Sequence, residues 1–135
     1  MENYTIAQGN SNGSNERKAA SKSAFRPLVY ICAPYSGDIN VNKNNAAAFA
    51  AYAYKQGNIP LTAHLLFPFM DDTDESERET AIFMDIVLMG KCQEVWVLGD
   101  EITSGMRIEI DKAKRRRQKI RYFNSAFQEV PEWEN

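Results

Sequence analysis

The feature that most constrains this chain is a pair of uninterrupted apolar, β-prone runs, Leu28-Val29-Tyr30-Ile31-Cys32-Ala33 and Val95-Trp96-Val97-Leu98-Gly99. A half-exposed strand alternates apolar and polar residues. A strand that is apolar throughout must be covered on both faces, which is the habit of parallel sheets with helices on either side. The intervening sequence supplies such helices. Residues 41–56 are Ala-rich, carry Phe49, Tyr52 and Tyr54, and stop at Gly57. Residues 76–89 place Ile82, Ile86 and Met89 on one side. A third helix, capped by Thr103 or Ser104, runs to about residue 116. Residues 59–62 and 119–123 read as second and fourth strands, with the third at 94–99. Residues 63–69 are apolar but follow Pro60 and contain Pro68, and read as a loop or broken turn. Strands alternating with helices imply right-handed crossovers. The expected fold is a single-domain, Rossmann-like α/β sandwich of three layers, with a mainly parallel sheet of four or five strands.

The 135 residues leave room for one domain. Residues 1–26 are rich in Asn, Ser, Gly and Ala and cannot bury enough surface to offset their ordering entropy. They read as a flexible tail in which a short helix at 16–23 is allowed. The domain is expected over 27–123, followed by a polar tail, 124–135, that contains Trp133. Net charge is −2, from 16 basic and 18 acidic residues, so no footprint for a nucleic acid polymer stands out. The run Lys114-Arg115-Arg116-Arg117 has no interleaved aromatics and suits the C-terminal end of a helix. Cys32 and Cys92 lie in apolar segments at no metal-ligand spacing, as reduced buried thiols do. With no leader-like apolar core and no segment long enough to span a membrane, the expected location is the cytoplasm.

Open parallel sheets bind ligands outside the carboxyl ends of their strands, near the point where strand order reverses. That rule selects residues 33–38, 62–68 and 99–105. In the first, Ala33, Pro34, Tyr35, Ser36 and Gly37 offer small residues, a hydroxyl and free amides, a composition that lets a sugar or phosphate approach the backbone. An ordinary strand-to-helix turn would look the same. In the third, Gly105 opens a helix and Glu109 follows one turn later, between Ile108 and Ile110. A glutamate among apolar neighbours is costly unless partnered or useful. The alternative is a surface Glu109 paired with Lys112. His64, the sole histidine, stands in an apolar run where a structural hydrogen bond is the plainer role; no second histidine supports a zinc site. The acids Asp71, Asp72, Asp74, Glu75, Glu77 and Glu79 lack the glycine and spacing of a calcium loop and suit a helix N-terminus. No nucleophile-elbow motif surrounds Ser36 or Ser104.

Taken jointly, Tyr30-Ile31-Cys32-Ala33-Pro34-Tyr35-Ser36-Gly37, Pro60-Leu61-Thr62-Ala63-His64, Val95-Trp96-Val97-Leu98-Gly99 and Ser104-Gly105-Met106-Arg107-Ile108-Glu109-Ile110 resemble the nucleoside 2-deoxyribosyltransferase superfamily. The closer likeness is to its small, uncharacterised phage and mobile-element members, and it covers about residues 28–123. The resemblance implies that Glu109, four residues after Gly105, is a nucleophile toward the anomeric carbon of a deoxyribosyl group. Its oxocarbenium-like transition state is one that a carboxylate can stabilise or capture. Water as acceptor gives hydrolysis and a second base gives transfer.

The resemblance further implies a sugar-binding loop at Ala33 to Gly37, with His64, Gly99, Thr103, Ser104, Gly105 and Met106 completing the substrate site. Asp85 is the nearest match to the family's other aspartate, which lies on the helix before the third strand. The transferases carry an aspartate six positions before the glutamate, where this chain has Thr103. The similar 2′-deoxynucleoside 5′-phosphate N-hydrolases use serine there to hold a phosphate, so Thr103 leans toward a nucleotide. No metal or organic cofactor is implied, and no membrane. Family members commonly complete the pocket with a neighbouring subunit, and Phe49, Tyr52 and Tyr54 offer more apolar surface than one sheet face needs, so a homo-oligomer is expected. The expected activity is cleavage or transfer of an N-glycosidic bond. The rival readings are a non-catalytic binder that sequesters or senses a nucleotide-derived signal, and an accessory interaction protein.

Overall fold

The computed structural model describes residues 24–132. Five strands, β1 (Leu28–Cys32), β2 (Ile59–Leu61), β3 (Glu94–Leu98), β4 (Lys119–Phe123) and β5 (Glu129–Val130), form one sheet in the order β2-β1-β3-β4-β5. The first four are parallel and β5 is antiparallel to β4. Three helices connect them: α1 (Ile39–Lys55), α2 (Glu75–Met89) and α3 (Ser104–Arg115). This is the expected three-layer, Rossmann-like α/β arrangement.

The two apolar runs are covered on both faces, as their composition requires. Alternate residues of β1 point to opposite sides, so Val29 and Ile31 join Phe49 of α1 in one core. Tyr30 and Cys32 join Met89 of α2 and Ile110 of α3 in the other. The first core is aromatic. Phe49 meets Trp96, Phe123 and Phe127 at ring-centroid distances of 6.0, 5.2 and 5.2 Å. Tyr52 packs against the same rings. The surplus apolar surface expected on this helix is therefore consumed inside the domain, leaving Tyr54 exposed beneath the Arg26 guanidinium.

Each helix begins on a side chain suited to its free amides. Asp38 accepts from Val41 N, Asp74 from Ser76 N and Glu77 N, and Thr103 from Met106 N. The acids at the start of α2 are thus in part a cap. Residues 63–69 are not wholly irregular, since Ala63–Leu65 forms one 3-10 turn.

The larger departure concerns residues 124–132, expected as part of a polar tail. Asn124 accepts from Ala126 N and Gln128 N, turning the chain so that β5 returns beside β4. Arg121 donates two hydrogen bonds to Glu129 across the pair, at 3.0 and 2.8 Å. Phe127 then seats itself on the Phe49 ring. A segment with few apolar residues is held here by cross-strand pairing, which composition does not reveal. The short helix at 16–23 and Trp133 lie outside the described residues.

Candidate functional site

Strand order 2-1-3 places the reversal between β1 and β3, where the connections leave on opposite faces. A cavity of about 330 Å³ lies at the carboxyl ends of these strands, roofed by α2 and by the start of α3. That volume is at the small end of ligand pockets and suits one small molecule.

The cavity contains two buried carboxyls, Asp85 from α2 and Glu109 from α3. Glu109 faces the sheet and is 5% exposed, so the surface alternative with Lys112 does not apply. The Tyr30 hydroxyl donates to Glu109 Oε2 at 2.9 Å, and the Cys32 thiol donates to the same carboxyl. Tyr30 and Cys32 sit on β1 facing α3, so the strand's alternation is what puts both donors beneath Glu109. Asp85 and Glu109 are hydrogen-bonded to each other. Burial raises the pKa of Glu109, and the charge of Asp85 raises it further; the Tyr30 and Cys32 bonds pull it back only in part. Burial raises Asp85 as well. Two carboxyls this close cannot both ionise cheaply, so the pair holds a proton between them well above the ordinary carboxylate range. Asp85 Oδ1 is buried with no hydrogen-bond partner among the described residues.

Ala33, Tyr35, Ser36, His64, Thr103, Ser104, Gly105 and Met106 all line the cavity. Pro34, Gly37 and Gly99 do not. Gly99 has φ +124°, and a Cβ there would meet Pro34 at 3.5 Å, so these two support one another behind the wall. Gly37, at φ +97°, turns the chain into α1. Gly105 lets the start of α3 face the cavity bare, since a Cβ at that position would touch nothing. The Thr103 hydroxyl is engaged as the α3 cap, accepting from Met106 N at 3.2 Å. His64 packs its ring 5.0 Å from that of Tyr35, and its buried Nδ1 has no hydrogen-bond partner among the described residues. Burial lowers its pKa to about 4, so it is neutral at neutral pH.

Sequence reasoning left α2 out of the site except for Asp85. Glu75, Arg78, Glu79 and Ile82 line the cavity with it, as do Asp71, Asp72, Phe67 and Met70 from the preceding loop. The signal was present: positions 75, 78, 82 and 85 follow helical spacing and share one stripe. Read outward from Asp85, that stripe carries the acids from helix cap to cavity wall.

Fold and site together define a Rossmann-like α/β domain with a cavity at the switch point of its sheet. The model of the family described as a domain of unknown function, DUF7768, matches residues 27–123, and the chain belongs to that family. No curated protein matches it. Among the described residues, no helix is long and apolar enough to cross a membrane.

Proposed function

We propose that this domain binds a nucleoside-like small molecule and cleaves or transfers its N-glycosidic bond, with Glu109 as the nucleophile. The observation that carries this reading is the buried Asp85–Glu109 pair on the cavity floor, with Tyr30 and Cys32 donating to Glu109. A buried carboxylate held by donors is suited to meeting a carbon that becomes cationic as its base departs. Passage of the shared proton from Glu109 to Asp85 would leave Glu109 as the attacking carboxylate and give Asp85 a means to assist the leaving base. The superfamily resemblance noted from the sequence agrees with both roles, with phosphate-site or sugar-site roles for Ser36 and Ser104, and with self-association. Sedimentation or light scattering at micromolar concentration checks the last, and a monomeric mass would contradict it.

One observation favours the rival reading. Burial and the neighbouring Asp85 hold the Glu109 pKa above its ordinary range, which disfavours the attacking carboxylate and suits a binder that sequesters or senses its ligand without cleaving it. Incubation with a panel of deoxynucleosides and deoxynucleotides, followed by separation of free bases, distinguishes the two. Base release supports catalysis. Intact ligand with a rise in thermal stability supports binding alone.

A further inference from the structure

Six carboxyls line the cavity, those of Asp71, Asp72, Glu75, Glu79, Asp85 and Glu109, against one permanent cation, Arg78. The outer four are exposed or partly exposed and well screened, and by themselves would select nothing. Asp85 is different. It is 8% exposed, lines the same cavity and, among the described residues, accepts no hydrogen bond from any N–H or hydroxyl; its one partner is the second acid, Glu109. A buried acid pair short of donors favours a cavity occupant that carries positive charge. The rings of Tyr35 and Phe67 are also in the wall, and aromatic faces attract cations. Among the described residues, no three of the His, Cys, Asp and Glu side chains are gathered to hold a metal ion. The arrangement fits a positive charge spread over an organic ring.

We propose that the cavity takes an N-glycoside whose base carries a positive charge, and that its acidic collar turns away the 5′-phosphate of such a ligand. This rests on the reading of the cavity as an N-glycoside site, and it reverses the lean toward nucleotides drawn from Thr103. The chemistry is consistent with Glu109 as nucleophile. As the bond from the anomeric carbon to the ring nitrogen breaks, its electron pair enters the ring and cancels the charge. The base leaves neutral, with no proton supplied, while a Glu109 oxygen bonds the anomeric carbon. Water then displaces Glu109, restoring the carboxylate and giving its proton to solvent.

The test uses the full chain with Glu109→Gln, which keeps ligands intact, and titration calorimetry with matched pairs. These are 7-methylguanosine against guanosine, 7-methyl-2′-deoxyguanosine against 2′-deoxyguanosine, and nicotinamide riboside against its uncharged dihydro form. At least one cationic member should bind about tenfold more tightly than its neutral partner. That preference should shrink at high salt and on adding Glu79→Lys, and the 5′-monophosphate of the cation should bind more weakly than the cation itself. Equal affinity within every pair, or tighter binding of the monophosphates, would overturn the charge rule and leave the N-glycoside reading standing. So would absence of binding in all pairs if the wild-type protein still releases base from uncharged deoxynucleosides. Absence of both binding and base release would remove the two readings together.

Discussion

Replacing Glu109 by Gln should make the empty protein more stable, by an amount that grows with pH. In the fold the carboxyl's pKa is raised above its ordinary value of 4.5, by burial first and by Asp85 second. A group shifted in that direction stabilises the fold fully only below its unfolded pKa, and the contribution is lost as pH rises toward the folded one. Gln removes this dependence. Holding Glu109 protonated above its ordinary pKa, or burying it as an ion, costs the fold up to several kcal/mol. The Tyr30 bond to the charged form returns roughly 1.5–3 kcal/mol. Gln can still accept from Tyr30, and its amide can donate to Asp85, which repels Glu109 only when both are ionised. A net gain on the order of 2 kcal/mol at neutral pH or just above is therefore expected. For a domain of about 100 residues that is roughly 10 °C in Tm. Paired thermal melts of wild type and variant across the acid-to-alkaline range provide the assay. The two curves should approach one another below pH 4.5 and separate above it. A variant less stable than wild type at neutral pH, or a difference independent of pH, would refute the picture of Glu109 as an ill-compensated buried acid.

Tyr30→Phe removes the donor to Glu109 and should cost more where that carboxyl is charged: about 1 kcal/mol in acid, rising to roughly 1.5–3 kcal/mol in alkali, read by denaturant unfolding at two pH values. Thr103→Ala should destabilise by about 1 kcal/mol through loss of the α3 cap, whereas Thr103→Asp, which can still accept from Met106 N, should not; equal losses would show that the cap is not what matters. Gly105→Ala meets no atom and should leave Tm unchanged or slightly higher, yet weaken ligand binding measured by calorimetry by filling the cavity wall. Phe49→Ala should cost about 3–5 kcal/mol in denaturant unfolding, because it opens the centre of the ring cluster.

The architecture was legible because the runs 28–32 in β1 and 95–98 in β3 are apolar throughout, a pattern with few structural solutions, and because Gly57, Thr103 and the Ala-rich stretch punctuate the helices. The switch-point rule then located the cavity before any side chain could be placed. What composition could not show was pairing. β5 is fixed by Arg121 to Glu129 and by Phe127 on Phe49, contacts between residues that look like a polar tail when read in order. Glu109 was legible as a costly glutamate in an apolar setting, but its donors lie 79 and 77 positions away, on β1. The acids from Asp71 to Glu79 were read as belonging to a helix N-terminus, and Asp74 is its cap. Their second role as cavity wall follows only once α2 is seen to roof the sheet.

The central claim is that Glu109 attacks the anomeric carbon, and it is tested most directly by rapid quench of the wild-type protein with a deoxynucleoside or charged N-glycoside that releases base, followed by intact and peptide mass analysis. The account predicts a transient gain of one sugar residue on the peptide containing Glu109, and neither adduct nor base release in Glu109→Gln. Undiminished base release by Glu109→Gln, or an adduct on any other residue, would contradict it.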